Sequence, residues 1–223
     1  MLWLFNDKKL DVVDRIQLLT AYILQIVLLG AIVFSLWKNQ WLIAFLTFGI
    51  LILTLLPAFI QHSSKVYLPV EFHFIPILFI FLALYLGELH GYYTYFWWWD
   101  VVLHTTSGIL LGIAGFVLIY VLNEEKKIFN RLRPGFMALF SFTFAVAIGA
   151  IWEIFEFTLD SNFGFNLQKS GLVDTMWDLI VDVAGALFIA ILGFFYVRSK
   201  NYSILFSRFV HRFVEKNQRL FSK

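Results

Sequence analysis

The chain has 223 residues, of which 61% are apolar, 20% aromatic and 14% charged, and its formal net charge is +2 at pH 7. Soluble globular domains contain about 45–50% apolar and about 25% charged residues, so this composition excludes an ordinary soluble domain. The 27 Phe, 8 Trp and 9 Tyr exclude a disordered chain, and the absence of cysteine excludes disulfides, a thiolate nucleophile and cysteine-based metal sites.

Six apolar segments are long enough to cross about 30 Å of hydrocarbon. In chain order, we place these spans at Ile16–Trp37, Trp41–Ile60, Val70–Gly87, Val101–Leu122, Phe136–Phe157 and Trp177–Arg198. Helices are expected because every backbone polar group must be paired internally within a bilayer. The sequence therefore predicts an all-α, polytopic membrane protein with a single transmembrane domain over residues 1–198.

The basic residues predict the orientation of the spans. If the N-terminus is cytoplasmic, 15 of the 17 Lys and Arg lie on the inner side, and Lys38 and Lys169 are the two exceptions. By the positive-inside rule, both termini are expected in the cytoplasm. Because the membrane topology accounts for these cations, we expect no nucleic-acid partner.

Residues 199–223 form a basic segment of their own. Phe206, Phe209 and Phe213 recur at helical spacing, and Arg208 and Arg212 lie between them. This pattern predicts a cytoplasmic amphipathic helix on the anionic inner leaflet, so membrane lipid is an expected partner.

Acidic residues and one histidine gather near the outer ends of the last three spans. They are Asp100 and His104 on the fourth span, Glu153 and Glu156 on the fifth, and Asp174, Asp178 and Asp182 on the sixth. Spacings of three or four residues place the members of each span on one helix face. Small residues continue these faces, which predicts that the three faces pack against one another.

A charged side chain in the middle of a span costs about 2.5–3.5 kcal/mol, and we expect no Lys or Arg at this depth. The carboxylates must therefore be protonated, paired or bound to a cation. Carboxylates with an imidazole suit Mg²⁺, Mn²⁺, Ca²⁺ or Zn²⁺, so all seven residues are candidate ligands of an outward-facing divalent metal.

Such a site is typical of metal-assisted hydrolysis or transfer, here on an outer-leaflet, lipid-linked substrate, with His104 or Glu153 as general base. Two other functions remain open: a cation- or proton-coupled transporter, and a sensor or scaffold in which the site joins three helices. Individual residues also have structural alternatives, since Asp100 and Asp174 can cap helices and His104 can be an ordinary core histidine.

Three blocks of sequence resemble the YjdF-type bacterial inner-membrane proteins, and more distantly the VanZ-like membrane proteins. The blocks are His90-Gly91-Tyr92-Tyr93-Thr94-Tyr95 with Asp100-x-x-x-His104 and Gly108, Trp152-Glu153-x-x-Glu156-Phe157, and Asp174-Thr175-x-Trp177-Asp178 with Gly185-Ala186. The resemblance covers about half of the chain, from Gly87 to Gly193.

The resemblance implies a six-helix protein of the prokaryotic plasma (inner) membrane, and it supplies no reaction. Asp182 stands where the family pattern has an apolar residue, and this extra acid strengthens a cation site or alters its preference. The VanZ-like relatives imply a connection with envelope glycolipids by analogy of fold alone.

Overall fold

The structure, a computed structural model, describes residues 10–64, 67–124, 132–199 and Asn217. In these residues, six helices are long and apolar enough to cross a membrane. They are α1 (Val12–Trp37), α2 (Trp41–Ser64), α3 (Val70–Ile80, continued by a π-helix over Phe81–Leu89), α4 (Trp97–Glu124), α5 (Pro134–Phe163) and α6 (Leu172–Ser199). A single helical turn at Tyr92–Tyr95 precedes α4. The prediction of an all-α protein with six spans is confirmed.

The last three helices are longer than their apolar segments. α4 begins four residues before Val101, α5 ends six residues after Phe157, and α6 begins five residues before Trp177. Hydropathy marks only the apolar part of a helix, whereas backbone hydrogen bonding continues through polar residues until a cap ends it. Gly164, with φ of 70°, is that cap for α5. His104, Glu153 and Asp182 therefore lie well within these helices rather than at their ends.

The chain packs as two compact units, Met1–Phe96 and Trp97–Lys223. In the first unit, α1 and α2 pack with α3 and its π-helix around an apolar core of Leu28, Ile50, Leu51, Phe81 and Tyr85. The single domain over residues 1–198 stays a prediction. The amphipathic helix predicted for residues 199–223 lies outside the described residues, apart from Asn217.

The second unit is a bundle of α4, α5 and α6, and glycines set its helix contacts. A Cβ added to Gly108 would overlap the backbone carbonyl of Asp182, and one added to Gly185 would overlap that of Thr105. The backbones of α4 and α6 therefore touch, as the pattern of small residues predicts. Ser141 of α5 donates a hydrogen bond of 2.7 Å to the carbonyl of Gly112, which ties the third helix to this pair.

Candidate metal centre

The polar residues predicted for the site lie at one end of the bundle, within the helices. His104 is seven residues from the start of α4, Glu153 is ten residues from the end of α5, and Asp182 is ten residues from the start of α6. At about 1.5 Å per residue, these positions lie about 10–15 Å from the helix ends. Three helices thus bring acids and an imidazole to a similar level.

His104 is the centre of the cluster, because carboxylates lie near both of its ring nitrogens. Its Nε2 is 3.5 Å from Asp100 Oδ1, one turn earlier on α4, and 3.9 Å from Asp178 Oδ1 on α6. Its Nδ1 is 3.3 Å from Asp182 Oδ2. The two carboxylates on α6 therefore meet different nitrogens of the same ring.

Asp182 is held from several directions. Its Oδ1 makes a short hydrogen bond with the hydroxyl of Ser107, which also lies 2.8 Å from the backbone carbonyl of His104. Its Oδ2 approaches the imidazole, and a Cβ added to Gly149 of α5 would lie 2.9 Å from that oxygen. Asp182 thus fixes the orientation of the ring so that Nε2 is directed to Asp100 and Asp178.

Asp100, His104 and Asp178 can share one cation. Each offers a ligand atom, and these three atoms lie within 4.8 Å of one another. A histidine that donates its other ring N–H to a carboxylate is the usual arrangement at metal sites, and Asp182 supplies that carboxylate here. The donor set of two carboxylate oxygens and one imidazole nitrogen suits a hard or borderline divalent ion.

Glu153 and Glu156 lie beside this ligand group on α5. Glu153 is 4% exposed, and neither of its carboxylate oxygens has a hydrogen-bond partner in the part of the chain that the structure describes. Thr175 and Gln168 are close enough to interact with it, but neither makes a hydrogen bond of ordinary geometry to the carboxylate. Glu156 is half-buried and interacts electrostatically with Glu153, His104 and Asp178.

Asp174 contacts the loop between α5 and α6, and its predicted role as a metal ligand stays a prediction. Its Oδ2 accepts a hydrogen bond of 3.0 Å from the backbone N–H of Lys169. Asp160 accepts bonds of 2.8 Å from the backbone N–H groups of Leu167 and Gln168. Asp174 lies in the first turn of α6, where a negative charge is favoured by the helix dipole, and its hydrogen bond joins this turn to the preceding loop.

The loop also brings a cation to the site, contrary to the expectation that none lies there. Lys169 Nζ is 3.8 Å from Asp100 Oδ2. The sequence pattern placed Lys169 on the outer side but gave no sign that the loop folds back over the bundle. The pairing of Asp160 and Asp174 with consecutive backbone N–H groups causes this fold.

Comparison with known proteins supplies a family. The profile of a family described as predicted membrane protein (DUF2238) matches residues 20–199. An uncharacterized protein of Thermotoga maritima is 33% identical over 107 residues, which are 48% of this chain and 53% of that protein. The match thus spans about half of the relative. No solved structure matches the chain.

Proposed function

Because the chain belongs to the DUF2238 family of predicted membrane proteins, we propose that it is a multi-pass membrane protein that holds a divalent cation between its last three helices. The observation that supports the proposal is the ligand group of Asp100, His104 and Asp178, whose donor atoms lie within 4.8 Å of one another. Asp182 orients the imidazole from the other side.

The donor set favours Mn²⁺ or Zn²⁺ over Mg²⁺ or Ca²⁺. Carboxylates suit all four ions, but an imidazole nitrogen suits the transition metals better than the purely oxygen-binding cations. Burial of the carboxylates also favours a bound cation, because several carboxylates with too few positive charges beside them are costly inside a membrane.

The activity that we propose is metal-dependent hydrolysis or transfer on a lipid-linked substrate in the outer leaflet. A divalent ion supplies Lewis-acid chemistry, which activates water and stabilises a leaving oxygen. Asp100, His104 and Asp178 bind the ion, and Asp182 positions the ring. If Nε2 binds the ion while Nδ1 faces Asp182, His104 would not serve as the general base that the sequence suggested.

A fixed site fits this bundle better than a transport path. Between the site and the opposite end of the bundle, the helices contain no Asp, Glu or His in residues 105–123, 134–152 and 183–197. A proton or cation moving through the bundle would find no further acidic or histidine side chain in these ranges. Flux of cations or protons through proteoliposomes, with the metal site intact, would instead support the transporter.

The first test is the metal content of the purified full-length protein, measured by mass spectrometry after loading with Mn²⁺ and gel filtration. We expect stoichiometric metal in the wild type and loss of that metal in Asp178→Asn. Glu71→Gln, an equally buried acid of the first unit, is the control and should retain it. Absence of metal from the wild type, or full retention in Asp178→Asn, would contradict the site.

The second test separates an enzyme from a scaffold. Vesicles of bacterial phospholipids are incubated with the protein, and ³¹P NMR measures the release of phosphorylated head groups. We expect release only when metal is added and Asp178 is intact. If metal binds and raises thermal stability but no head group is released or transferred, the site acts only as a structural link between helices.

A further inference from the structure

Glu153 is the buried acid that the first ligand group does not use. It follows Gly149 by one helical turn, and Gly149 lies against the Oδ2 of Asp182. Residues at i and i+4 share a helix face, so Glu153 is directed into the cluster. His104 and Asp182 are charged groups that act on its carboxylate, although neither of its oxygens has a hydrogen bond within the described residues.

Glu156 extends the same face of α5. It is three residues after Glu153, and the charged groups that act on it include Glu153, His104 and Asp178. The two glutamates therefore approach the ligand group from the third helix, while Asp100 and Asp178 approach it from α4 and α6.

The charge balance of the cluster calls for more than one divalent cation. Five carboxylates meet around His104, namely Asp100, Glu153, Glu156, Asp178 and Asp182, and Asp174 lies beside them with its carboxylate bonded to the backbone N–H of Lys169. Lys169 and one divalent cation leave two negative charges if His104 binds the metal as a neutral ligand. A second divalent cation brings the charge of these five ionised carboxylates, Lys169 and the two cations to zero, which is favourable in a partly buried site.

We propose that Glu153 and Glu156 bind a second divalent cation next to the one held by Asp100, His104 and Asp178. This proposal rests on the proposed function and makes the site a binuclear centre. Pairs of metals in enzymes are typically about 3.5–4 Å apart and clamp both oxygens of a displacement reaction. The class of substrate that fits such a clamp is a phosphate ester or diphosphate of a membrane lipid.

Binding of a cation accounts for Glu153 better than storage of a proton. A protonated carboxyl group would lose its charge, but its acceptor oxygen would still have no hydrogen-bond donor within the described residues, and such an unpaired group is costly. A cation satisfies carboxylate oxygens and removes their charge at the same time. Under this proposal Glu153 is a ligand, and the general-base role that the sequence suggested does not apply to it.

The experiment counts metal ions in full-length protein reconstituted in nanodiscs and loaded with Mn²⁺. We expect two ions per chain in the wild type and one in Glu153→Gln, with two retained in the control Glu71→Gln. Electron paramagnetic resonance supplies a second readout, because two neighbouring Mn²⁺ ions give an exchange-coupled spectrum. Glu153→Gln should restore the six-line spectrum of an isolated ion.

The outcomes separate this proposal from the one on which it rests. One ion per chain in the wild type overturns the second site and leaves the first intact, whereas none overturns both. Two ions retained in Glu153→Gln show that Glu153 is not a ligand and restore it as a candidate general base. If Glu153→Gln fails to fold, Glu156→Gln is counted in its place, and retention of two ions there also overturns the proposal.

Discussion

Asp178 and Asp182 are one helical turn apart, yet the structure gives them different chemistry. Asp178 shares Nε2 of His104 with Asp100, whereas Asp182 lies at Nδ1 and is also bonded to Ser107. From the sequence, both were expected to bind metal directly. The spacing of four residues shows that they share a face, but it cannot show which nitrogen of a histidine on another helix each one meets.

Replacement of Asp182 by Asn should weaken metal binding without removing the site. The amide keeps the shape of the side chain but loses the charge that holds the imidazole, and outer partners of metal ligands typically change affinity by about 10–100-fold. Calorimetric titration with Mn²⁺ should show weaker binding with an unchanged number of ions. Complete loss of an ion, as expected for Asp178→Asn, would make Asp182 a direct ligand.

Replacement of Asp174 by Asn should leave the metal content unchanged and loosen the loop. Asp174 accepts the backbone N–H of Lys169, and Asn can still accept this bond but without the negative charge, so the contact weakens by about 1 kcal/mol. Hydrogen exchange measured by mass spectrometry should become faster in residues 164–171. A fall in metal content with unchanged exchange would mean that Asp174 binds metal, as the sequence suggested.

At the scale of the helices, the sequence predicted the number and location of the six spans correctly, but it predicted the residues at which the helices begin and end less well. All six spans were located from hydropathy, since 61% apolar residues leave few alternatives. Asp100 and Asp174 were placed on the fourth and sixth helices from their spacing, but the span bounds stopped short of the polar ends of α4, α5 and α6, because hydropathy cannot distinguish acids such as Asp100, Asp160 and Asp174 from loop residues. The π-helix of Phe81–Leu89 also has no signature in apolar periodicity alone.

The contact between α4 and α6 predicts an asymmetry among the glycines. Gly108→Ala should destabilise the bundle by about 1–3 kcal/mol, because its Cβ would meet backbone rather than a flexible side chain. Gly49→Ala on α2 has no atom within 4 Å of the new Cβ, so it should be neutral or more stable by up to about 1 kcal/mol. Denaturant unfolding in mixed micelles measures both variants. Equal changes in the free energy of unfolding for the two variants would contradict the close contact between α4 and α6.

At the scale of the whole molecule, the predicted site links all three helices of the second unit. A ligand that binds only the folded state stabilises it by about 2.7 kcal/mol at a hundredfold excess over its dissociation constant. Removal of metal by EDTA should therefore lower the Tm of the wild type by several degrees. Asp178→Asn should show a much smaller response, and an equal response in both proteins would place the metal elsewhere.

The depth of His104 has an electrical consequence. Counted from Trp97, it lies about 10 Å along α4, which is about one third of a 30 Å hydrocarbon layer if that layer begins at Trp97. One elementary charge that crosses the whole layer gains about 2.3 kcal/mol per 100 mV of membrane potential. A divalent ion that crosses a third of the layer therefore gains about 1.5 kcal/mol per 100 mV, which is roughly a tenfold change in binding affinity.

With the expected orientation, an inside-negative membrane potential draws the ion into the site from outside. Mn²⁺ binding to proteoliposomes polarised with K⁺ and valinomycin should therefore tighten as the interior becomes more negative. If the site opened to the cytoplasm, Mn²⁺ binding would weaken as the interior becomes more negative. The cell's own voltage would then set how fully this centre is loaded, and de-energised cells would hold a larger share of the protein without its ion.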